Sequence, residues 1–109
     1  MERDMGKIHV QVVSKSPPGG RCEIYDRFFF EVVKAYKNVY YSLVPADLYE
    51  GEVTPPAVFI NGELIEPEDG VLLTPEEVIK ALESRGAVKR EGRDVRTKLE
   101  NLYEEFLGG

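Results

Sequence analysis

The chain has 109 residues, with 42 % apolar and 31 % charged side chains, a net charge of −6, one cysteine and one histidine. That length suits one domain with one modest core, and the composition excludes a disordered chain. No apolar run reaches the ~18 to 20 residues of a membrane span, and the acidic balance argues against a nucleic-acid backbone as partner, which needs clustered Lys and Arg. A lone Cys22 excludes an internal disulfide, and with a lone His9 it cannot build a zinc site with soft ligands. No metal or other cofactor is therefore expected.

The opening Met1-Glu2-Arg3-Asp4 is charged and has no apolar signal-peptide core, so a cytoplasmic protein is expected. A single Gln, no Trp, seven prolines and abundant Glu, Lys and Arg lean towards a thermophilic source. Residues 7–14 alternate apolar and polar and predict a first strand, with His9 on the face opposite Ile8, Val10 and Val12. A Ser, Pro and Gly-rich loop follows. The spacing of Ile24, Tyr25, Phe28, Phe29, Val32, Val33 and Tyr36 predicts a helix over 22–37, with Asn38 as its stop and Phe30 off the apolar face against a neighbouring element.

Val39 to Val44 reads as a second strand, parallel to the first through a right-handed crossover. Residues 45–56 leave room for one helical turn at most. Runs 57–60 and 63–66 flank Asn61-Gly62, the strongest short signal for a tight hairpin, because both turn residues need positive φ. Thr74-Pro75-Glu76-Glu77 is a capping box opening a helix that buries Val78, Ile79 and Leu82 and ends near Gly86. A charged linker at 87–93 leads to a helix over 94–107 with an apolar stripe of Val95, Leu99, Leu102, Tyr103 and Phe106, stopped by Gly108. The basic residues of 89–98 alternate with acids and read as a solvated face. The prediction is an α/β chain with a four-stranded mixed sheet in the order β-α-β-β-β-α. Residues 1–86 form the domain, and 87–109 form a linker and helix packed on it or at an interface, such as that of a homodimer.

Residues 7–85 resemble the thioredoxin and glutaredoxin superfamily. The resemblance rests on a loop with a cysteine at the start of a helix, on Thr54-Pro55-Pro56-Ala57-Val58-Phe59-Ile60-Asn61-Gly62, and on the closing capped helix. It implies a thioredoxin-like fold and a cis Pro55–Pro56 bond facing the cysteine. Such a bond is cheap before proline, about 0.5–1 kcal/mol; the alternative is a rigid strand entry with both bonds trans. In that family a Cys-x-x-Cys motif stands at the helix amino end, where the dipole favours a thiolate. The core-facing residues fall two, three, six, seven and ten positions after its second cysteine. After Cys22 those positions are all apolar, whereas the other register puts Arg27 in the core. Cys22 thus matches the resolving cysteine, and the motif reads Gly19-Gly20-Arg21-Cys22.

The departures from the family are three. Gly19 stands in place of the nucleophile, which excludes a dithiol–disulfide cycle. Pro18 stands where thioredoxins carry tryptophan. Pro55, before the cis proline, has no N–H to offer a docked peptide. The resemblance then implies a non-catalytic binding or regulatory module, with Gly19, Gly20, Arg21, Thr54, Pro55 and Pro56 as its substrate-binding residues. Its partner would be a protein or a glutathione-like thiol. The alternative is a monothiol redox protein with Cys22 as the catalytic residue, activated by the helix end and Arg21. Against it, a second-position cysteine is usually shielded under the first helical turn, so a packed, inert Cys22 is expected. A third class would use Ser14 or Ser16 beside a glutathione site, or Glu50, Glu52, Glu63 or Glu66 as acid and base; no second signature supports it.

Overall fold

The structure is a computed structural model that describes residues 6–17 and 19–108. The opening residues Met1 to Asp4, read above for a leader, and Pro18 lie outside the described residues. In chain order the elements are β1 (Ile8–Ser14), α1 (Gly20–Ala35), β2 (Val39–Pro45), a single 3-10 turn (Ala46–Leu48), β3 (Ala57–Ile60), β4 (Glu63–Ile65), α2 (Pro75–Glu83) and α3 (Val95–Gly108). The strands form one mixed α/β sheet in the order β2-β1-β3-β4. β1 and β2 are parallel, while β3 runs antiparallel to both β1 and β4.

Alternation along the strands decides which face is covered. Ile8, Val10 and Val12 of β1, with Val58 and Ile60 of β3, point to one side and are buried in a single core. Ile24, Tyr25, Phe28, Phe29 and Val32 of α1 meet them there, as do Val78, Ile79 and Leu82 of α2 and Val95 and Leu99 of α3. The helices pack on that side of the sheet, with α3 lying against α1 and α2. Leu102 and Tyr103 extend the α3 stripe against the same core. His9 is exposed on the opposite face.

Two turns are held as their residues require. Asn61 and Gly62 have φ of 51° and 81°, the left-handed values of a tight hairpin turn. Asn61 is also pinned to His9: its backbone N–H donates to the His9 carbonyl at 2.8 Å, and its Oδ1 accepts from the His9 N–H at 2.9 Å. At the start of α2 the Thr74 hydroxyl accepts from the Glu77 N–H at 3.1 Å. The Glu77 carboxylate accepts from the Thr74 N–H at 2.8 Å, completing the capping box.

Four local expectations are corrected. Helix α1 begins at Gly20 and ends at Ala35, two residues early at each end relative to 22–37. It stops because Tyr36 turns extended and bridges Lys89, burying its ring and donating its hydroxyl to Glu83 Oε2 at 2.9 Å. Asn38 is therefore no helix stop; it is a buried tie between distant segments. Phe30 meets no neighbouring element: it is 60 % exposed and lies under the Lys34 ammonium, 4.9 Å from the ring centroid. Gly108 is the last residue of α3, inside the helix.

Candidate functional site

Helix α1 starts immediately after a glycine that serves as its N-cap, with extended φ and ψ of −87° and −173° and no side-chain cap. Gly19 is half-buried, while Gly20 and Arg21 are exposed on the first turn. Cys22, the third helical residue, points inward and is 1 % exposed. The Lys15 N–H donates to its Sγ at 3.5 Å, and the Ser14 hydroxyl donates to the Lys15 carbonyl at 2.7 Å.

These contacts set the thiol's acidity. Burial pushes its pKa up, and that is the largest single influence. The Lys15 N–H, the Ser14 hydroxyl, the Gly19 N–H and the Lys15 charge together outweigh it, so the thiol sits below its ordinary value. Acidity and access are separate requirements for thiol chemistry, and Cys22 meets only the first.

Pro55–Pro56 is a cis peptide bond, as is Ser16–Pro17. Pro55 and Pro56 share a cleft of about 380 Å³ with Arg21, Tyr25 and Thr54, whose opposite wall is Glu66, Pro67, Gly70 and Val71. Four of the six residues expected to bind substrate therefore meet in one place: Arg21, Thr54, Pro55 and Pro56. Gly20 lies instead in a second hollow of about 790 Å³, between the start of α1 and the end of α3, beside Glu23, Arg27, Glu104 and Phe106. Gly19 and Cys22 line neither.

The cleft has a definite polarity. Its proline wall presents carbonyls and no N–H. Arg21 spans the gap, donating from Nη1 to the Val71 carbonyl at 3.0 Å, and among the described residues it makes no ion pair. Its remaining donors are free for a ligand carboxylate or carbonyl. Glu52 and Glu66 add two carboxylates to the lining.

Tyr25 and, on the far wall, Pro67, Gly70 and Val71 were absent from the sequence reading as site residues. Tyr25 looked only like a core position, yet its hydroxyl accepts the Leu73 N–H at 2.8 Å and so holds the 70–73 segment against α1. Burial raises the Tyr25 pKa, keeping the hydroxyl neutral. No local signal joins residues 48 positions apart. Tyr25→Phe should leave a buried N–H unpaired and lower the unfolding free energy by about 1–3 kcal/mol. Urea unfolding measures this, and an unchanged midpoint would show that the bond does not hold the wall.

Tyr41 forms a second polar contact on α1. Its ring stacks on Phe29 at 5.7 Å, and its hydroxyl donates to Asp26 Oδ1 at 2.6 Å. Burial first, and then the Asp26 carboxylate, push its pKa far above the ordinary tyrosine value, so it has no acid–base role near neutral pH. Ser16 is exposed. Of the acidic candidates, Glu63 pairs with Arg85 at 3.0 Å and does not line the cleft, whereas Glu52 and Glu66 do. Among the described residues no helix is long and apolar enough to cross a membrane. Comparison with protein-family models, with curated proteins and with solved structures finds no match to this chain.

Proposed function

We propose that this chain is a thioredoxin-fold protein without the dithiol motif, acting as a non-catalytic binding module through the cleft between Arg21 and Pro55–Pro56. The β-α-β-β-β-α order, the sheet order β2-β1-β3-β4 and the cis Pro55–Pro56 bond near the amino end of α1 support the fold assignment. The single observation that carries the function is the burial of Cys22, 1 % exposed and lining neither hollow. A thiol exchange needs in-line approach to sulfur by the partner sulfur, and none is open here. A ligand in the cleft, a protein segment or a glutathione-like molecule, would meet Arg21 and proline carbonyls, not a thiol. A lone free cysteine suits a reducing compartment such as the cytoplasm.

The lowered thiol pKa favours a second reading, a monothiol redox protein that exposes Cys22 by moving the 15–19 loop. Iodoacetamide labelling in the folded and urea-unfolded protein separates the two. In the folded protein the reaction should be slower by a factor of about 10³ or more, because labelling must wait for opening. Fast labelling in the native state, inflecting below the ordinary thiol pKa, would establish the monothiol reading and reject the binding module.

A further inference from the structure

The sheet has one face without helices, and its residues follow from the strand register. His9, Gln11 and Val13 of β1 point there, beside Tyr40, Ser42 and Val44 of β2, Ala57 and Phe59 of β3 and Leu64 of β4. The two ends of this face differ. At the carboxyl end of β1 and β2, the segment 46–53 folds across it: Tyr49 stacks on Phe59 at 5.7 Å, and Val13 and Ala57 are 0 % and 6 % exposed. At the other end the face is bare. Tyr40 is 43 % exposed, and His9 lies beside it with ring centroids 6.0 Å apart.

Charge follows the same division. The bare end carries Lys7, whose ammonium stands 5.8 Å from the Tyr40 ring centroid, with no carboxylate among the outward-facing strand residues. The covering segment carries Asp47 and Glu50 and no cation, while its Glu52 lines the cleft. One end is raised and acidic; the other is flat, aromatic and basic.

We infer that this face is a self-association surface on which two copies of the chain stack, related by a two-fold axis between the sheets and perpendicular to the strands. That axis sets the raised acidic end of each copy on the flat basic end of the other. A two-fold axis parallel to the strands would put like on like, with acid facing acid and ridge facing ridge. Charge and shape therefore select the same one of the two in-plane arrangements. Gln11 and its cross-strand partner Phe59 lie near the middle of the face, where each Gln11 meets the other copy's centre. Strands of seven, seven, four and three residues, about 4.8 Å apart, present on the order of 350 Å². A standard interface buries about 800 Å² per partner, so contacts from the covering segment must make up the rest. Leu64 also lines the cleft, so the variants below are taken from residues outside it.

Sedimentation velocity of the full chain from about 1 to about 200 µM tests it. The expected result is a reversible monomer–dimer equilibrium. Gln11→Arg sets two like charges together at the two-fold and should raise the dissociation constant at least about 100-fold. Ser42→Arg serves the same purpose should Gln11→Arg fail to fold, which circular dichroism reads directly. Lys7→Glu should weaken the dimer, and Asp47→Lys and Glu50→Lys combined in that background should restore it. A monomer throughout the range overturns the proposal. So does a dimer indifferent to Gln11→Arg, which would lie on the free edge of β2 or on α3. Failure of the charge reversal to restore association overturns the crosswise arrangement.

Discussion

Leu99→Ala should lower the unfolding free energy by about 3–5 kcal/mol, and a chain ending at Gly86 should lose cooperative unfolding altogether. Leu99 is 0 % exposed and Val95 3 % exposed, both in the core that holds Phe28, Phe29 and Leu82. Truncating one leucine there removes its burial and leaves a cavity that the crossed α1 and α2 cannot both collapse into. Removing the whole tail has a second cost. The linker is hydrogen-bonded to the body on both sides of Lys89: the Lys37 N–H donates to the Val88 carbonyl at 2.8 Å and the Arg90 N–H to the Ala35 carbonyl at 2.7 Å. The last carbonyls of α1 and the start of β2 lose those partners with the tail. Urea unfolding followed by circular dichroism is the measurement. A truncated chain with the full-length midpoint and slope would show that residues 87–109 are an appendage.

Asn38→Ala should cost about 2–3 kcal/mol, far more than an ordinary surface substitution. The side chain is 5 % exposed and joins three segments. Its Nδ2 donates to the Gly6 and Gly86 carbonyls, each at 3.1 Å, and its Oδ1 accepts from the Val88 N–H at 2.9 Å. Two carbonyls and one N–H fix which end of the amide is which. Alanine leaves all three without this partner, and the buried ones stay unpaired. Asn38→Asp keeps the acceptor but turns a carboxylate towards two carbonyl oxygens, so it should be no milder than alanine. Hydrogen exchange at Val88 gives an independent readout: its amide should lose protection in both variants. Retained protection would mean that the linker is held by its backbone bonds alone.

The local elements were legible in the sequence wherever one short window contained the whole cause. Alternation wrote β1, the Asn61-Gly62 turn wrote the hairpin, and Thr74-Pro75-Glu76-Glu77 wrote a capping box that forms as expected. The register after Cys22 was also legible: Ile24, Tyr25, Phe28, Phe29 and Val32 are all buried, and Arg27 is exposed. The end of α1 was not. Tyr36 is apolar and in phase with the helix, but its partners Lys89 and Glu83 are about 50 residues away, and a bridge and a buried hydroxyl bond outweigh two more helical residues.

The candidate site divides in the same way. Arg21, Thr54, Pro55 and Pro56 were named from the chain and share a cleft, while Gly20 opens on another hollow and Cys22 is withdrawn from both. Composition, periodicity and turn chemistry act over a few residues, so the sequence by itself determined the α/β class, the element order, the lone thiol and the proline wall. Only the tertiary structure decided that the thiol is shut away, that Tyr25 and Val71 build the far side of the cleft, and that the helices leave one sheet face bare. Each of those depends on which distant segments share a surface, a global packing choice that no local window contains.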